Sequence, residues 1–249
     1  MVKTLDPVWA IEHPSLLKDL RLRYIYHTNA IEGNSLSLIE TKIIISDGIT
    51  VGGKKLSEHL EAINQAQALQ FLENAVKQHE PLSQYFIREL HYYVLNHDEE
   101  NRGVYRTSSV FIEGSETTTA LPSMIPSRLD GILKDFGKNK ETLGLIPAVA
   151  RFHADFEEIH PFVDGNGRTG RLLMNLELLK GGYPITIIEK DDRPEYYRTL
   201  EIAQTGNRNI EPLTRFIEYS INKTISFIEK RIDSYLSQQQ EPPEPELEM

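Results

Sequence analysis

Between His160 and Arg171 the chain reads His-Pro-Phe-Val-Asp-Gly-Asn-Gly-Arg-Thr-Gly-Arg and runs directly into the apolar stretch Leu172 to Leu179. Gly165 and Gly167 permit backbone conformations and close approaches that a Cβ would block, so the amide N–H groups around Asn166 can turn toward an anion. The helix that follows adds the positive end of its dipole and several unpaired N–H donors. Arg168 and Arg171 are three residues apart and share one face of the first helical turn, where planar guanidiniums clamp phosphate oxygens in pairs. Asp164 would repel a phosphate directly but suits a Mg²⁺ ion bridging two of them, with Mn²⁺ as its substitute. His160, at the entrance of the loop, has an unperturbed pKa near 6.5 and suits taking a proton from an attacking hydroxyl. Each residue alone has an ordinary structural explanation. Together they favour chemistry on a polyphosphate, because stability gives no reason to gather two arginines at a helix's positive end.

The elements that must position this loop are helical. Ile146, Val149, Phe152 and Phe156 form an apolar stripe leading to His160-Pro161, where proline biases its predecessor away from helix. Leu172, Leu173, Leu176 and Leu179 form the next stripe, stopped by Gly181-Gly182. Upstream, Leu60, Ile63, Leu69, Leu72 and Val76 predict a helix capped by Ser57, and Ile87, Leu90 and Val94 one capped by Ser83. Leu129, Ile132, Leu133 and Phe136 follow Pro126, Tyr197, Leu200 and Ala203 follow Asp192 and Pro194, and a last long helix carries Leu213 through Ile232. Strand signals are few: Thr107 to Ile112 and Thr117 to Leu121 predict the two arms of a β-hairpin flap, and residues 49–54 a smaller turn. The expected fold is mostly α, a helical core with one short β-hairpin flap and an N-terminal helical extension.

The 249 residues, 39% apolar, suffice for a real core. No run approaches the roughly 20 apolar residues of a membrane helix, and no apolar stretch of a secretory signal opens the sequence. With no cysteine, disulfide scaffolds, thiol nucleophiles and Cys-zinc sites drop out, and a cytoplasmic protein without membrane contact is expected. A net charge of −10 argues against nucleic-acid binding, which rewards clustered Lys and Arg. Residues 238–249, proline-rich and acidic, are expected to lack fixed structure.

The string from His160 to Arg171 resembles the signature of the Fic (Fido) domain, HPFx(D/E)GNGRxxR, at every defined place. The wider resemblance runs from about Leu82 to about Tyr219 and includes Gly103-Val104-Tyr105-Arg106 and Arg193-Pro194-Glu195-Tyr196-Tyr197. It implies a division into an extension over 1–81, a Fic domain over 82–219, a C-terminal helix over 220–237 and the tail. It also implies transfer of AMP from ATP to a hydroxyl side chain of a target protein. In that resemblance His160 is the general base and Asp164 the Mg²⁺ ligand, Gly165, Asn166 and Gly167 form an anion hole, Arg168 grips the β-phosphate and Arg171 the γ-phosphate. Val110, Phe111 and Ile112 of the flap align the target segment, and Tyr197 and Gln204 match positions near the adenine, where some relatives carry Asn in place of Gln204.

A second segment, His27-Thr28-Asn29-Ala30-Ile31-Glu32-Gly33-Asn34, is similar to the family's inhibitory motif (S/T)xxxE(G/N) in Thr28, Glu32 and Gly33. It implies that Glu32 pairs with Arg171 and takes the place of the γ-phosphate; some relatives also use this glutamate to remove AMP. Two other classes stay open: a Doc-like kinase or other phosphotransferase on the same fold, and a non-catalytic interaction module. The motif retains the Gly-Asn-Gly-Arg run from which Doc-type motifs depart, which favours the AMP transferase. Self-association into a homodimer is admitted by the tyrosines and apolar residues of the first 30 positions. His153, His91 and Trp9 are read as core or anchoring residues, since no metal-ligand spacing such as HExxH is present.

Overall fold

The computed structural model describes Val2 and residues 8–240. Ten α-helices are described: α1 (Val8–Glu12), α2 (Pro14–Ile31), α3 (Leu38–Lys42), α4 (Leu56–Lys77), α5 (Gln84–Val94), α6 (Ile125–Leu143), α7 (Leu145–Ile159), α8 (Asn166–Lys180), α9 (Arg193–Gln204) and α10 (Glu211–Gln240). A single π turn, Ile43–Asp47, continues α3, and 3₁₀ turns at Pro122–Met124 and Lys190–Asp192 lead into α6 and α9. Among the described residues no helix is long and apolar enough to cross a membrane.

The two helices that flank the loop form the centre. Helix α7 is buried almost all round, through Ala148, Val149, Ala150, Phe152, His153, Ala154 and Phe156, and α8 likewise through Leu172, Leu173, Met174, Leu176 and Leu178. A helix apolar on every side must be sheathed by others. Here α6 and α10 cover α7, while α4 and α5 cover α8. Helix α10 contributes Ile217, Ile221, Ile225 and Ile228, all at 0% exposure. Each such side chain adds about 1.5–3 kcal/mol on burial, so the loop hangs between two rigid supports.

Several ends follow the predicted signals. Ser83 Oγ accepts from Phe86 N at 3.1 Å and starts α5. Pro126 sits in the first turn of α6, and α7 stops at His160 and α8 at Gly181. Helix α4 differs. Its cap lies two residues before Ser57, at Lys55, whose N donates to Glu58 Oε2 at 2.9 Å, and its buried face carries Ala62, Gln65, Ala68, Leu69 and Leu72 while Ile63 turns outward at 38% exposure. The small residues Ala62 and Ala68 let α4 sit close to its neighbours, a demand of packing that hydrophobicity alone does not express. The tail expected over 238–249 begins inside α10, which includes 238–240; residues 241–249 lie outside the described residues.

The β-hairpin flap is corrected: among the described residues there is no strand. Residues 107–121 run as irregular chain with a turn in which Ser115 N donates to Ile112 O at 3.2 Å. The donors that a ladder would use go elsewhere: Glu116 N to Glu201 Oε1 at 2.9 Å, and Thr117 N to Ser115 Oγ at 3.1 Å. Across the flap, Thr119 Oγ1 donates to Val110 O at 2.6 Å. Two lone strands with an exposed face are marginal in water; Glu201 of α9 takes one backbone donor and Ser115 of the flap itself the other.

Candidate functional site

The loop between α7 and α8 is held by groups remote in sequence. His160 closes α7 in a left-handed conformation, φ 49° and ψ 62°, uncommon for a residue with a Cβ. Arg106, 3% exposed, holds this strained end: Nε donates to His160 O at 2.7 Å, Nη2 to Ala120 O at 2.5 Å and Ile159 O at 3.3 Å, and Nη1 to Ser108 O at 2.8 Å. One guanidinium thereby joins the helix end to both arms of the flap. His160 Nδ1 lies 3.2 Å from Glu157 O. With the proton on Nδ1, Nε2 is left as an acceptor. Burial, joined by Arg106, pushes the His160 pKa below its ordinary value.

Asn166 spends its side chain on the loop: Oδ1 accepts from Phe162 N and Nδ2 donates to Phe162 O, both at 2.9 Å. His91 does the same from α5. Its Nδ1 accepts from Gly103 N at 2.9 Å, so Nε2 carries the hydrogen and donates to Asp164 O at 2.9 Å, while its ring stacks on Phe162 at 3.6 Å. Burial pushes the His91 pKa down to about 4, which keeps this tautomer neutral. Gly165, φ +75°, lies against that ring, where a Cβ would meet Nε2 at 3.2 Å.

The charged groups of the loop divide by burial. The Asp164 side chain is 65% exposed, with Oδ2 at 3.2 Å from Arg168 Nη2. Arg168 is 3% exposed, its Nη1 faces Glu61 Oε1 at 4.0 Å, and neither Nε nor Nη1 has a hydrogen-bond partner. Arg171, 2% exposed, donates from Nε to Thr28 Oγ1 at 2.8 Å and from Nη2 to Thr28 O at 2.9 Å and Glu32 Oε1 at 2.6 Å. Burial opposes its charge, but Glu32 more than compensates and its pKa is raised. Gly167 leaves room for this pair, since a Cβ there would meet Glu32 Oε1 and push that carboxylate aside.

Glu32 is placed by a helix end. It is the C-cap of α2. Gly33 (φ +94°) donates to Ala30 O at 3.1 Å and Asn34 N to Asn29 O at 3.2 Å, a complete Schellman motif. Asn34 Nδ2 then ties the turn to α4 through Glu58 O at 3.1 Å and Glu61 Oε2 at 2.8 Å. Ser35 N donates to Glu58 Oε1 at 2.7 Å, and this backbone bond holds the Glu58 carboxyl down at about 2.

A cavity of about 760 Å³ opens beside these groups, within the usual range for small-molecule sites. It is lined by Glu32, Glu157, His160, Gly167 and Arg171 at one part and by Tyr197, Leu200, Glu201 and Gln204 of α9 at another. Ile112 reaches the cavity; Phe111 points away at 94% exposure, and Val110 stands off it. Gln204 is engaged at both ends of its amide, Oε1 accepting from Thr117 Oγ1 and Nε2 donating to Ala154 O, each at 2.9 Å.

With this geometry, the comparisons are direct. The model of the Fic/DOC family matches residues 81–178. A solved fragment of Fic-1 from C. elegans is 33% identical with a TM-score of 0.80, the match covering 93% of this chain and 68% of that one. The chain belongs to the Fic/DOC family. A Fic domain containing signaling protein from Bacteroides thetaiotaomicron shares the fold at 26% identity and TM-score 0.77, over 87% of this chain and 88% of that one. The protein adenylyltransferase fic-1 of Caenorhabditis elegans is 35% identical over 231 residues, 89% of this chain and 44% of that protein. The protein adenylyltransferase Fic of Nematostella vectensis is 34% identical over 235 residues, 93% of this chain and 52% of that protein. The chain therefore spans about half the length of the curated relatives it matches.

Within this Fic fold, the groups that sequence reasoning passes over are two that hold the loop, His91 and Arg106, and two carboxylates that line the cavity, Glu157 and Glu201. His91 was read as core, and it is buried; its two ring nitrogens are what matter. Arg106 stood in the resembling segment Gly103 to Arg106, but nothing local in sequence announces that it caps α7. Glu157 and Glu201 carried no motif at all.

Proposed function

We propose that this chain is a protein adenylyltransferase that transfers AMP from ATP to a hydroxyl side chain of a target protein and is held off by Glu32. The observation that carries the reading is the 2.6 Å pair of Glu32 with the buried Arg171 beside an otherwise intact loop. Similarity to proteins named adenylyltransferases supports it.

His160 takes the proton of the incoming hydroxyl at Nε2 while that oxygen attacks the α-phosphorus. The bond from the α-phosphorus to the bridging oxygen breaks and pyrophosphate leaves. Gly165, Asn166 and Gly167 contribute backbone N–H donors at the positive end of α8, Arg168 meets the β-phosphate and Arg171 the γ-phosphate. The exposed carboxylate of Asp164 fits Mg²⁺, which takes one or two carboxylates and fills its shell with phosphate oxygens and water. When bound there the ion neutralises charge on the leaving phosphates. Tyr197 lies at the base end, where Gln204 serves as a strut between flap and α7. Ile112, of the segment Val110 to Ile112, is the flap residue that reaches the cavity where the target must enter. The extension over 1–81 then acts as regulator of the Fic domain over 82–219, with 220–237 as part of its support.

Restraint follows from charge and room. With Glu32 on Arg171, a γ-phosphate has neither its cation nor its space, and a nucleotide displaced by 1 Å loses far more rate than affinity. The test compares wild type, Glu32→Gly and Glu32→Gly/His160→Ala with α-labelled ATP, Mg²⁺ and a lysate. Protein-bound label is expected from Glu32→Gly and absent from the double variant. Equal labelling by wild type and Glu32→Gly would remove the restraint, and transfer only from γ-labelled ATP would make the protein a kinase.

A further inference from the structure

Glu32 is only one of the two residues by which α2 holds Arg171. Arg171 Nε donates to Thr28 Oγ1 at 2.8 Å and Nη2 to Thr28 O at 2.9 Å, and Nη2 alone also reaches Glu32 Oε1 at 2.6 Å. Thr28 is 2% exposed and stands one turn before Glu32 on the same face of α2. Arg171 Nη1 has no hydrogen-bond partner. A Cβ on Gly167 would touch both that nitrogen and Glu32 Oε1, so the space Glu32 fills adjoins Nη1 as well.

The two residues act differently on the guanidinium. Glu32 brings charge and fills that space, whereas Thr28 is neutral and takes Nε and one Nη2 hydrogen. Those two bonds fix the plane of a long side chain with many rotamers, and neither needs Glu32. With Glu32 removed, the second Nη2 hydrogen is released beside Gly167 while the plane stays held. Glu157 offers no substitute charge. It sits against Gly170, where a Cβ would collide with its Oε1, and burial pushes its carboxyl up to about 8 against the pull of Arg171. A buried guanidinium fixed in orientation and lacking a counter-ion favours a phosphate as its partner.

We propose that Thr28 is a positioning residue for the transfer reaction, its side-chain oxygen holding Arg171 where the guanidinium meets the γ-phosphate. Helix α2 then serves both states, the restrained one through Glu32 and the active one through Thr28. This rests on the AMP-transfer reading.

The experiment measures binding of ATP and ADP by calorimetry, with α-label transfer from ATP alongside, on the full chain as Glu32→Gly and as Glu32→Gly combined with Thr28→Val, Thr28→Ala or Thr28→Ser. Valine keeps the shape of threonine without its hydroxyl, alanine adds no apolar bulk, and serine restores the oxygen; melting curves check each fold. Glu32→Gly is expected to bind ATP about tenfold tighter than ADP. Thr28→Val and Thr28→Ala bring that ratio near one and slow label transfer about tenfold, with ADP binding kept, and Thr28→Ser retains both ratio and rate. An unchanged ratio in the variants without the hydroxyl, or an equal loss of ATP and ADP, overturns the proposal, as does equal binding of the two nucleotides by Glu32→Gly. A ratio that depends on the hydroxyl without any label transfer supports the hold on Arg171 and sinks AMP transfer alone. No binding of either nucleotide overturns both.

Discussion

At the residue scale, what distinguishes His160 is that its surroundings keep it neutral. Its pKa is lowered by burial first and Arg106 next, so the imidazole keeps its lone pair below pH 6.5, where an exposed histidine would already be half protonated. Label transfer by Glu32→Gly is therefore expected to hold as pH falls through 6.5 and to fail only lower. A rate that halves at 6.5 would show an unshifted base. Glu157 gives a stability test of opposite sign. Its folded pKa of about 8 lies above the ordinary carboxyl value of 4.5. The unfolded chain thus releases this proton first, and stability is lost as pH rises from 4.5 through 8. Glu157→Gln, which cannot ionise, should gain on wild type in melting temperature across that range, at a slope of up to about 1.4 kcal/mol per pH unit. A gap independent of pH would show that the carboxyl stays protonated in neither state or in both.

At the element scale, the end of α2 matters more than its length. The Schellman turn at Gly33 aims Glu32, and Asn34 fastens that turn to α4 by its bonds to Glu58 O and Glu61 Oε2. Asn34→Ala should free the turn while leaving every loop residue in place. Basal label transfer is expected to rise toward that of Glu32→Gly, by about tenfold for a lost restraint near 1.4 kcal/mol; unchanged basal transfer would show that α2 alone carries the restraint. The flap is a second case. Its Glu116 and Thr117 are tied to Glu201 and Gln204 of α9, so Glu201→Ala should speed amide exchange of residues 113–117 without changing exchange in α7.

At the scale of the whole molecule, one apolar cluster joins Leu20 and Ile25 of α2, Leu69 and Leu72 of α4, the central α7 and α8, and Ile221 and Ile225 of α10. The N-terminal helices α2 and α4 and the loop-bearing helices are therefore parts of one core. Ile225→Ala, at a site of 0% exposure, should cost about 2–5 kcal/mol and lower a single cooperative transition followed by circular dichroism. Two separate transitions would show that the extension melts on its own.

The sequence by itself determined the helical class and the loop His160 to Arg171, because helix periodicity is local and a string of defined residues needs no partner to be read; the pairing of Glu32 with Arg171, 139 residues apart, followed only from the resemblance of residues 27–34 to an inhibitory motif. Helix ends were legible where a side chain caps its own helix, as at Ser83, and misplaced where the start belongs to backbone and Glu58, as in α4. Tertiary structure alone decided the rest. Whether residues 107–121 pair as strands depends on more than their own pattern, since Glu201 of α9 takes the Glu116 donor. His91 and Arg106 do their work through atoms 54 to 73 residues away in the chain, and the burial of Glu157 needs Gly170 of α8 against it. Such contacts depend on packing, and no pattern within a single helix carries them.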